Sequence, residues 1–268
     1  MAVRFLGISR KKFLEDYKKL FHYTPERYLD DILKENTHRF SNPMTWKDPY
    51  EKYFLNPKYK VRGEKMAPNY MPIRNKVYCK CFTSQYQCEP FWGIHSGGAK
   101  TVCITFDTER LLEELDRIEG YKVYIGKVKY LGQRELSGVH PDGIDLRSIF
   151  ILNKGTKREI NNSVILQLRL LLLKRRAFNY ENEIRIFLLP KTSVNNADHV
   201  QLQLPCGAKE IISKLTFDPR YMENTTGRDQ FILMRERYNS DPFNIQCVLS
   251  SLYKETSRMT TDEKTIII

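Results

Sequence analysis

Two glutamates and an arginine in the C-terminal half have the types and spacing for chemistry on a glycosidic bond. Glu181, Glu183 and Arg185 alternate in the segment YENEIR, so on a β-strand their side chains would share one face. A carboxylate held beside a guanidinium has a lowered pKa and stays ionised. It can accept a hydrogen bond from a sugar hydroxyl and stabilise the positive charge that develops when a glycosidic bond breaks. The alternative is an exposed ion pair on an edge strand, which contributes little to stability.

A second candidate lies near the N-terminus, at His22. The β-prone run 21–23 predicts a short strand, and Thr24 followed by Pro25 predicts the N-cap and first position of a helix. His22 would then lie directly before a helix N-terminus, where backbone N–H groups bind anions. The alternative is a core histidine whose polar atoms are satisfied inside the protein.

The cysteines do not have the spacing of a metal site. Cys79, Cys81, Cys88 and His95 are close in sequence but lack the paired C-x₂₋₄-C arrangement of structural zinc sites. We therefore expect no metal. The loop at Gly97-Gly98 has neither P-loop nor Rossmann spacing, which argues against a conventional nucleotide triphosphatase.

The composition favours a folded protein with an anionic partner. The chain has 268 residues, 41% of them hydrophobic and 12% aromatic, and a net charge of +12. A basic balance of this size suits DNA, RNA or a phosphate-bearing ligand. No signal peptide or membrane-spanning run is visible, so we expect no membrane partner. Without a secretory signal, the six cysteines predict reduced thiols and a cytoplasmic location.

The periodicity of the chain predicts an α+β fold. Strands are predicted at 77–83, 101–106, 121–130, 183–189, 200–204 and 210–217, and helices at 108–118, 160–176 and 226–237. The simplest arrangement is a single domain over 1–268, with a mixed, mostly antiparallel sheet and helices packed on it. Lys174, Arg175 and Arg176 are predicted to close the last turn of the helix at 160–176, where cations complement the macrodipole.

Four segments together resemble a known family. They are HYT-x₄-L-x₂-IL (22–33), RFSNP-x₄-DPYE (39–51), the CFT…FWGIHSGG…VCITF block (81–106) and K-x₃-F-x-YENEIR (174–185). This combination resembles the bacterial domain-of-unknown-function family twenty-nine seventy-one over about residues 20–220, which leaves 221–268 as a C-terminal extension. The chain departs from the family pattern at Lys47, Phe91 and His95, where Asn, Met and Tyr are usual.

The opening motif of that family is similar to that of ADP-ribosyltransferase-type domains, and this similarity implies roles for particular residues. His22 would hold the ribose of NAD, and Glu183 would be the catalytic carboxylate. Tyr23 or Tyr50 would stack on the nicotinamide ring. The other residues implied to bind the cofactor or shape its pocket are Thr24, Ser41, Asn42 and Asp48. Further candidates near the site are Glu51, Trp92, His95, Glu181 and Arg185.

Three functions follow from these observations. The first is an ADP-ribosyltransferase-like enzyme that uses NAD as a substrate to modify a nucleic acid or a protein, as a toxin or antiphage effector. The second is a non-enzymatic module that binds nucleic acid or a nucleotide. The third and weakest is a nuclease that holds a divalent metal among Asp48, Glu51, Glu181 and Glu183.

Overall fold

The computed structural model describes residues 3–52, 55, 73–94, 100–132, 135, 157–192 and 197–253. The strands are β1 (Arg4–Leu6), β2 (Lys19–Pro25), β3 (Thr37–Ser41), β4 (Tyr78–Thr83), β5 (Thr101–Asp107), β6 (Tyr121–Lys127), β7 (Lys129–Leu131), β8 (Leu173–Arg175), β9 (Glu183–Pro190), β10 (His199–Gln203), β11 (Ile212–Phe217) and β12 (Gln246–Leu249). The α-helices are α1 (Arg10–Asp16), α2 (Leu29–Leu33), α3 (Pro49–Lys52), α4 (Glu89–Ile94), α5 (Thr108–Arg117), α6 (Lys157–Leu170), α7 (Ala208–Ile211) and α8 (Thr225–Asn239).

Most of these strands form one mixed, mostly antiparallel sheet. Its order is β1-β6-β9-β4-β2-β5-β11-β12, and β10 joins it through β3, which pairs with β4. The pairs β1–β6 and β11–β12 are parallel, and the others in this sheet are antiparallel. A second small sheet pairs β7 with β8 in parallel. The predicted single-domain α+β class is confirmed.

The sheet divides at β4, which has two different neighbours on one side. Near its start, Cys79 pairs with Ser41 of β3, and at its end Thr83 pairs with Phe21 of β2. One residue pair therefore joins β2 to β4, whereas β2 pairs along all seven of its residues with β5. The two halves of the sheet separate at this point, and we call the opening the β2–β4 gap.

Two hydrophobic clusters cover opposite faces of the sheet, because neighbouring residues of each strand point in opposite directions. In β9, Ile186 belongs to one cluster and Phe187 to the other. The first cluster includes α5, which buries Leu111, Leu112 and Leu115 and has Asp107 as its N-cap. The second contains the leucines that end α6 and begin β8. Central strands covered on both faces explain why β5 and β9 are almost continuously apolar.

The C-terminal part of the chain, predicted as an extension from residue 221, contributes directly to this core. β12 extends the sheet beside β11, and Tyr238 of α8 is buried in the first cluster. The Tyr238 hydroxyl donates a hydrogen bond of 2.7 Å to the carboxylate of Asp30 in α2. Residues 221–253 are therefore packed as an integral part of the fold.

The strand predicted at 121–130 divides at Val128 into β6 and β7, and residues 210 and 211 of the strand predicted at 210–217 belong to α7. Two further predictions about local structure, both near the site described below, are wrong. Thr24 does not cap a helix, because it lies within β2 opposite Val102, and α2 begins only at Leu29. The ladder to β5 outweighs the local capping preference of Thr24 and Pro25. The helix predicted at 160–176 ends at Leu170, and Lys174 lies in β8 instead of a last helical turn. The buried charges described below account for this second difference.

Among the residues that the structure describes, no helix has the length and apolarity needed to cross a bilayer.

Candidate functional site

A cavity of about 600 Å³ opens beside the β2–β4 gap. This volume lies within the range of small-molecule sites, roughly 300–1,000 Å³. Its aromatic lining comes from Phe21, Tyr23, Trp46, Phe82, Phe91 and Phe178. Its charged lining comes from Lys47, Asp48, Glu51, Lys174, Arg175, Glu181, Glu183 and Arg185, and the rest of the lining is His22, Pro49, Cys81 and Thr83.

Strand alternation brings several of these side chains to one face of the sheet. Glu183 of β9 pairs with Thr83 of β4, and Thr83 pairs in turn with Phe21 of β2. Cys81 and Arg185 form the next pair on the same face. Glu183 and Arg185 thus lie on a central strand, so the alternative of an exposed edge strand is wrong. The prediction that Glu181 shares this strand is also wrong, because Glu181 ends the 3₁₀ turn that precedes β9.

Arg185 is the centre of a set of five charged residues that we call the buried charge cluster: Glu51, Lys174, Glu181, Glu183 and Arg185. Its guanidinium donates two hydrogen bonds of 2.8 Å to the two carboxylate oxygens of Glu183. It also donates to Glu51 and, at 2.5 Å, to the carbonyl oxygen of Leu171. The Trp46 ring centre lies 4.3 Å from the guanidinium carbon. A side chain that is 1% exposed is tolerated here because its donors have acceptors.

Lys174 is the second cation of the buried charge cluster, and three carboxylates share it. Its Nζ lies 2.5 Å from Glu181 Oε2, 3.1 Å from Glu183 Oε2 and 3.6 Å from Glu51 Oε1. Burial alone would lower its pKa, but the charges of these carboxylates raise it. In a last helical turn, Lys174 would interact with free backbone carbonyls. In β8 it instead pairs with three buried carboxylates, and these ion pairs explain its position.

The pKa values of the two glutamates on the YENEIR segment move in opposite directions. Burial by itself would raise the pKa of Glu183, but the charge and hydrogen bonds of Arg185, with the charge of Lys174, hold it at about 2. Burial raises the pKa of Glu181 to about 7. Lys174 opposes that rise, but its attraction is divided among three carboxylates, and the charges of Glu183 and Glu51 add to the effect of burial. Glu183 is therefore ionised at neutral pH, whereas Glu181 exchanges a proton there.

His22 bridges the β2–β4 gap. Its Nδ1 lies 2.9 Å from the carbonyl oxygen of Cys81, and its Nε2 lies 3.2 Å from Nζ of Lys80. The carbonyl requires a proton on Nδ1, which leaves Nε2 to accept from the lysine ammonium group. Alternation along β2 directs His22 away from the face that carries Phe21 and Tyr23, and its ring contacts Phe82, with centroids 5.7 Å apart. Both nitrogens of this half-buried histidine thus have partners in β4.

Lys80 itself is buried on the face of β4 opposite Cys81. Burial lowers its pKa to about 8. Burial lowers the pKa of His38 to about 3, and the nearby charge of Lys80 contributes to this decrease. His38 is therefore neutral, and Lys80 is a buried cation beside two histidines.

Tyr23 and Phe91 form a stacked pair of rings in the cavity lining, which we call the aromatic wall. The Tyr23 ring stacks on Phe91 with centroids 4.8 Å apart and meets the edge of Trp92 at 5.0 Å. Its hydroxyl oxygen accepts a 3.0 Å hydrogen bond from the backbone N–H of Gln87. Burial raises the pKa of Tyr23, so the hydroxyl stays neutral. Trp92 is a support behind this wall and does not line the cavity.

Arg175 defines the rim of the cavity together with Asp48. Its NH2 group lies 3.1 Å from Asp48 Oδ2, and its guanidinium carbon lies 4.7 Å from the Tyr50 ring centre and 5.1 Å from that of Phe178. Tyr50 is 40% exposed and contacts both residues of the rim, since its ring lies against Arg175 and its backbone N–H donates to Asp48 at 2.9 Å. A cation between two aromatic rings at a cavity mouth is suited to contact an anionic part of a ligand.

The structure brings seven of the predicted site residues to one cavity: His22, Tyr23, Asp48, Glu51, Glu181, Glu183 and Arg185. His22 and Glu183 line the same cavity despite their separation in sequence. Five others do not line it: Thr24 pairs within β2, Ser41 ends β3, Asn42 caps the turn at Pro43–Thr45, and Tyr50 and Trp92 lie as described above. His95 lies outside the described residues. The roles implied for all these residues remain predictions.

Sequence reasoning missed several residues of the site, notably Lys174, Arg175, Trp46 and Phe178. The leucines before Lys174 and Arg175 have helical character, so the sequence predicts both residues in the last turn of that helix instead of in the site. One available signal was the K-x₃-F-x-YENEIR segment itself, which contains both Lys174 and Phe178. Trp46 carried no local signal, since its role depends on the long-range contact with Arg185.

A comparison with protein-family models found no match for this chain, and a comparison with curated proteins found none either. The resemblance to family twenty-nine seventy-one and to ADP-ribosyltransferase-type domains therefore remains a prediction from the quoted motifs. Within the described part of the chain, no three His, Cys, Asp or Glu side chains form a group that could hold a metal ion. The three glutamates that do converge surround Lys174 and Arg185, so each of them already has an ion pair with a protein cation.

Proposed function

We propose that this protein is an ADP-ribosyltransferase-like enzyme that uses NAD to modify a nucleic acid or a protein in the cytoplasm, as a toxin or defence effector. The observation that carries the proposal is Glu183: an ionised carboxylate on a central strand that lines an aromatic cavity of ligand size. His22 and Tyr23, which the same motif resemblance singled out, line this cavity as well.

The proposed reaction breaks the bond between the ribose carbon and the nicotinamide nitrogen. The bonding electrons go to the departing nicotinamide, and positive charge develops on the ribose. An acceptor group then bonds to that carbon and gives its proton to solvent or to a nearby base. A fixed carboxylate stabilises the developing charge, because it needs no reorganisation during the reaction.

Other features of the cavity support a dinucleotide as the ligand. Aromatic side chains such as Tyr23, Phe91 and Phe178 offer surfaces on which flat rings can stack. Arg175 and Lys47 at the rim offer positive charge to phosphate groups. The net charge of +12 suits a nucleic-acid acceptor.

One observation favours a second candidate, a non-enzymatic nucleotide-binding module. Arg185 and Lys174 donate three hydrogen bonds to the Glu183 carboxylate. A carboxylate has about four acceptor positions, so these partners nearly saturate it. In this case the cavity would bind a nucleotide, and Glu183 would have a structural role as the acceptor for Arg185 and Lys174.

The decisive experiment is to incubate the protein with NAD, with and without DNA or RNA, and to measure released nicotinamide. We expect release by the wild type and none by Glu183→Gln, which preserves the shape of the side chain and removes its charge. Glu15→Gln, which removes an exposed carboxylate on α1, is the matched control and should release nicotinamide normally. A melting curve of each variant establishes that it is folded.

Normal nicotinamide release by folded Glu183→Gln would refute the catalytic assignment of Glu183. Failure of the wild type to release nicotinamide, together with a melting temperature that rises with NAD, would favour the binding module.

A further inference from the structure

The buried charge cluster has more carboxylates than cations, although the charged residues that line the whole cavity divide evenly, because Lys47, Asp48 and Arg175 add two cations and one carboxylate. The buried charge cluster contains three carboxylates, from Glu51, Glu181 and Glu183, and two cations, from Lys174 and Arg185. When all five groups are ionised, the cluster has a surplus negative charge beside an aromatic wall. Buried charge without compensation is costly, so such a site gains when a ligand brings the missing cation.

Glu181 is the least compensated of the three carboxylates. Arg185 contacts Glu183 and Glu51, whereas Glu181 pairs with Lys174, which it shares with the other two carboxylates. Its side chain is 16% exposed, compared with 10% for Glu51 and 6% for Glu183. The surplus charge is therefore most accessible at Glu181.

The backbone before β9 explains why Glu181 reaches the cavity. Arg176–Glu181 forms a short 3₁₀ turn that ends at Asn182, whose φ of 41° is left-handed, a conformation that asparagine adopts more readily than most residues. Hydrogen bonds fix this turn: the Thr83 hydroxyl donates to the Glu181 carbonyl at 2.5 Å, and the Asn182 amide donates to Gln85 at 2.8 Å. Glu181 is thus presented by a constrained turn.

We propose that Glu181 makes the cavity selective for a flat organic cation of the pyridinium type, by supplying an accessible carboxylate in a cavity lined with aromatic rings. The proposal rests on the proposed function in so far as the pyridinium ring of NAD would be the natural ligand. Aromatic faces attract delocalised cations, and Phe91, Tyr23 and Phe178 line the cavity with Glu181. A neutral ring of the same shape would keep the stacking and lose the charge pairing.

The proposal has a consequence for pH. Because the pKa of Glu181 lies near 7, a cation that pairs with its ionised form should bind about tenfold more tightly at pH 8 than at pH 6. The charged and titratable groups that face Glu181 are Glu51 of α3, Cys88 before α4, Tyr130 of β7, Lys174 of β8, Tyr180 of its own turn, and Glu183 and Arg185 of β9. Lys80, whose pKa of about 8 also lies in this range, contacts His22 on the other side of β4.

The test uses two small probes of nearly identical shape, 1-methylnicotinamide, a cation, and 3-methylbenzamide, its neutral counterpart with carbon in place of the ring nitrogen. Calorimetric titration of the wild-type protein at pH 6 and pH 8 measures both affinities. We expect the cation to bind more tightly than the neutral probe at pH 8, with the tenfold gain from pH 6 confined to the cation. Equal affinities, or a cation affinity that does not change with pH, would overturn the proposal without any variant.

Two variants then assign the effect to one residue. Glu181→Gln should abolish the pH dependence and lower the affinity for the cation at pH 8 about tenfold, with little effect on the neutral probe. Glu15→Gln, which removes an exposed carboxylate on α1 outside the cluster, is the control and should keep both the affinity and the pH dependence. If the dependence persists in folded Glu181→Gln, the assignment to Glu181 is wrong.

This result is distinguishable from failure of the proposed function. Loss of probe selectivity with intact nicotinamide release would remove only the role of Glu181, and selectivity without release would remove only the enzymatic activity.

Discussion

Glu181 and Glu183 should influence folding stability with opposite dependence on pH, although they are two residues apart and line the same cavity. The pKa of Glu181 rises from 4.5 to about 7 on folding, so between these values the folded protein binds a proton that the unfolded chain has lost. Its contribution to the free energy of unfolding is fully present below pH 4.5 and is lost as the pH rises through 7. A pKa change of this size corresponds to at most about 3 kcal/mol.

For Glu183 the sign is reversed. Its pKa falls from 4.5 to about 2 on folding, so its contribution is present above pH 4.5 and is lost as the pH falls through 2. The size is again at most about 3 kcal/mol, and it depends on the bidentate pairing with Arg185. Together these two glutamates favour maximal stability near pH 4.5.

The assay is urea unfolding of the wild type and Glu181→Gln between pH 4.5 and pH 8 at constant ionic strength. Glutamine cannot titrate, so the free energy of unfolding of the variant relative to wild type should increase by up to about 3 kcal/mol across this range. Glu15→Gln removes an exposed carboxylate and serves as the control, for which we expect a curve parallel to that of the wild type. Parallel curves for wild type and Glu181→Gln would refute the reasoning, because they would mean that Glu181 titrates alike in the folded and unfolded protein.

Two further predictions concern the regions around the site. The pKa of the buried Lys80 is lowered from 10.5 to about 8, so its contribution to the free energy of unfolding rises with pH through this range. Lys80→Met should therefore stabilise the protein at pH 7 by up to about 3 kcal/mol, reduced by the loss of the hydrogen bond to His22. The gain should be smaller at pH 10. Urea unfolding at both pH values measures this, and a variant that is less stable at pH 7 and gains nothing relative to pH 10 would contradict it. A Cβ added at Gly126 of β6 would overlap Leu172 Cδ1 and approach Leu6 Cβ to 3.2 Å, so Gly126→Ala should destabilise by about 1–3 kcal/mol in thermal melts. Gly93→Ala, whose added Cβ meets nothing within 4 Å, is its control, and equal melting temperatures for the two variants would show that the packing at Gly126 yields easily.

Local patterns were sufficient for most of the elements. The run TVCITF predicts β5 because a strand covered on both faces is continuously apolar. Asp107 or Thr108 predicts the start of α5, because the side chain of either residue can satisfy a free N–H, and the structure has Asp107 as the N-cap. The alternation of Glu183 and Arg185 placed both on one face, since the period of a strand is two. These signals depend on neighbours in sequence, and the sequence carries them in full.

Long-range pairing decided the remainder. Thr24 and Pro25 have the local preferences of a helix start, but the ladder between β2 and β5 holds them in a strand. Lys174 follows a helical run of leucines, yet it lies in β8 because three carboxylates from distant segments converge on it. Such convergence leaves no periodic trace in sequence.

The site itself shows the same division. The sequence identified Glu183 and His22 as polar residues on strands, and their chemistry follows from residue type. The prediction that His22 lies directly before a helix N-terminus is wrong, because His22 is in the middle of β2. Only the tertiary structure placed Arg185, Lys174 and Glu51 around Glu183, held the His22 ring between Cys81 and Lys80, and separated the pKa values of Glu181 and Glu183. A pKa depends on burial and on the charges within a few ångströms, and those neighbours come from strands that meet only when the sheet forms.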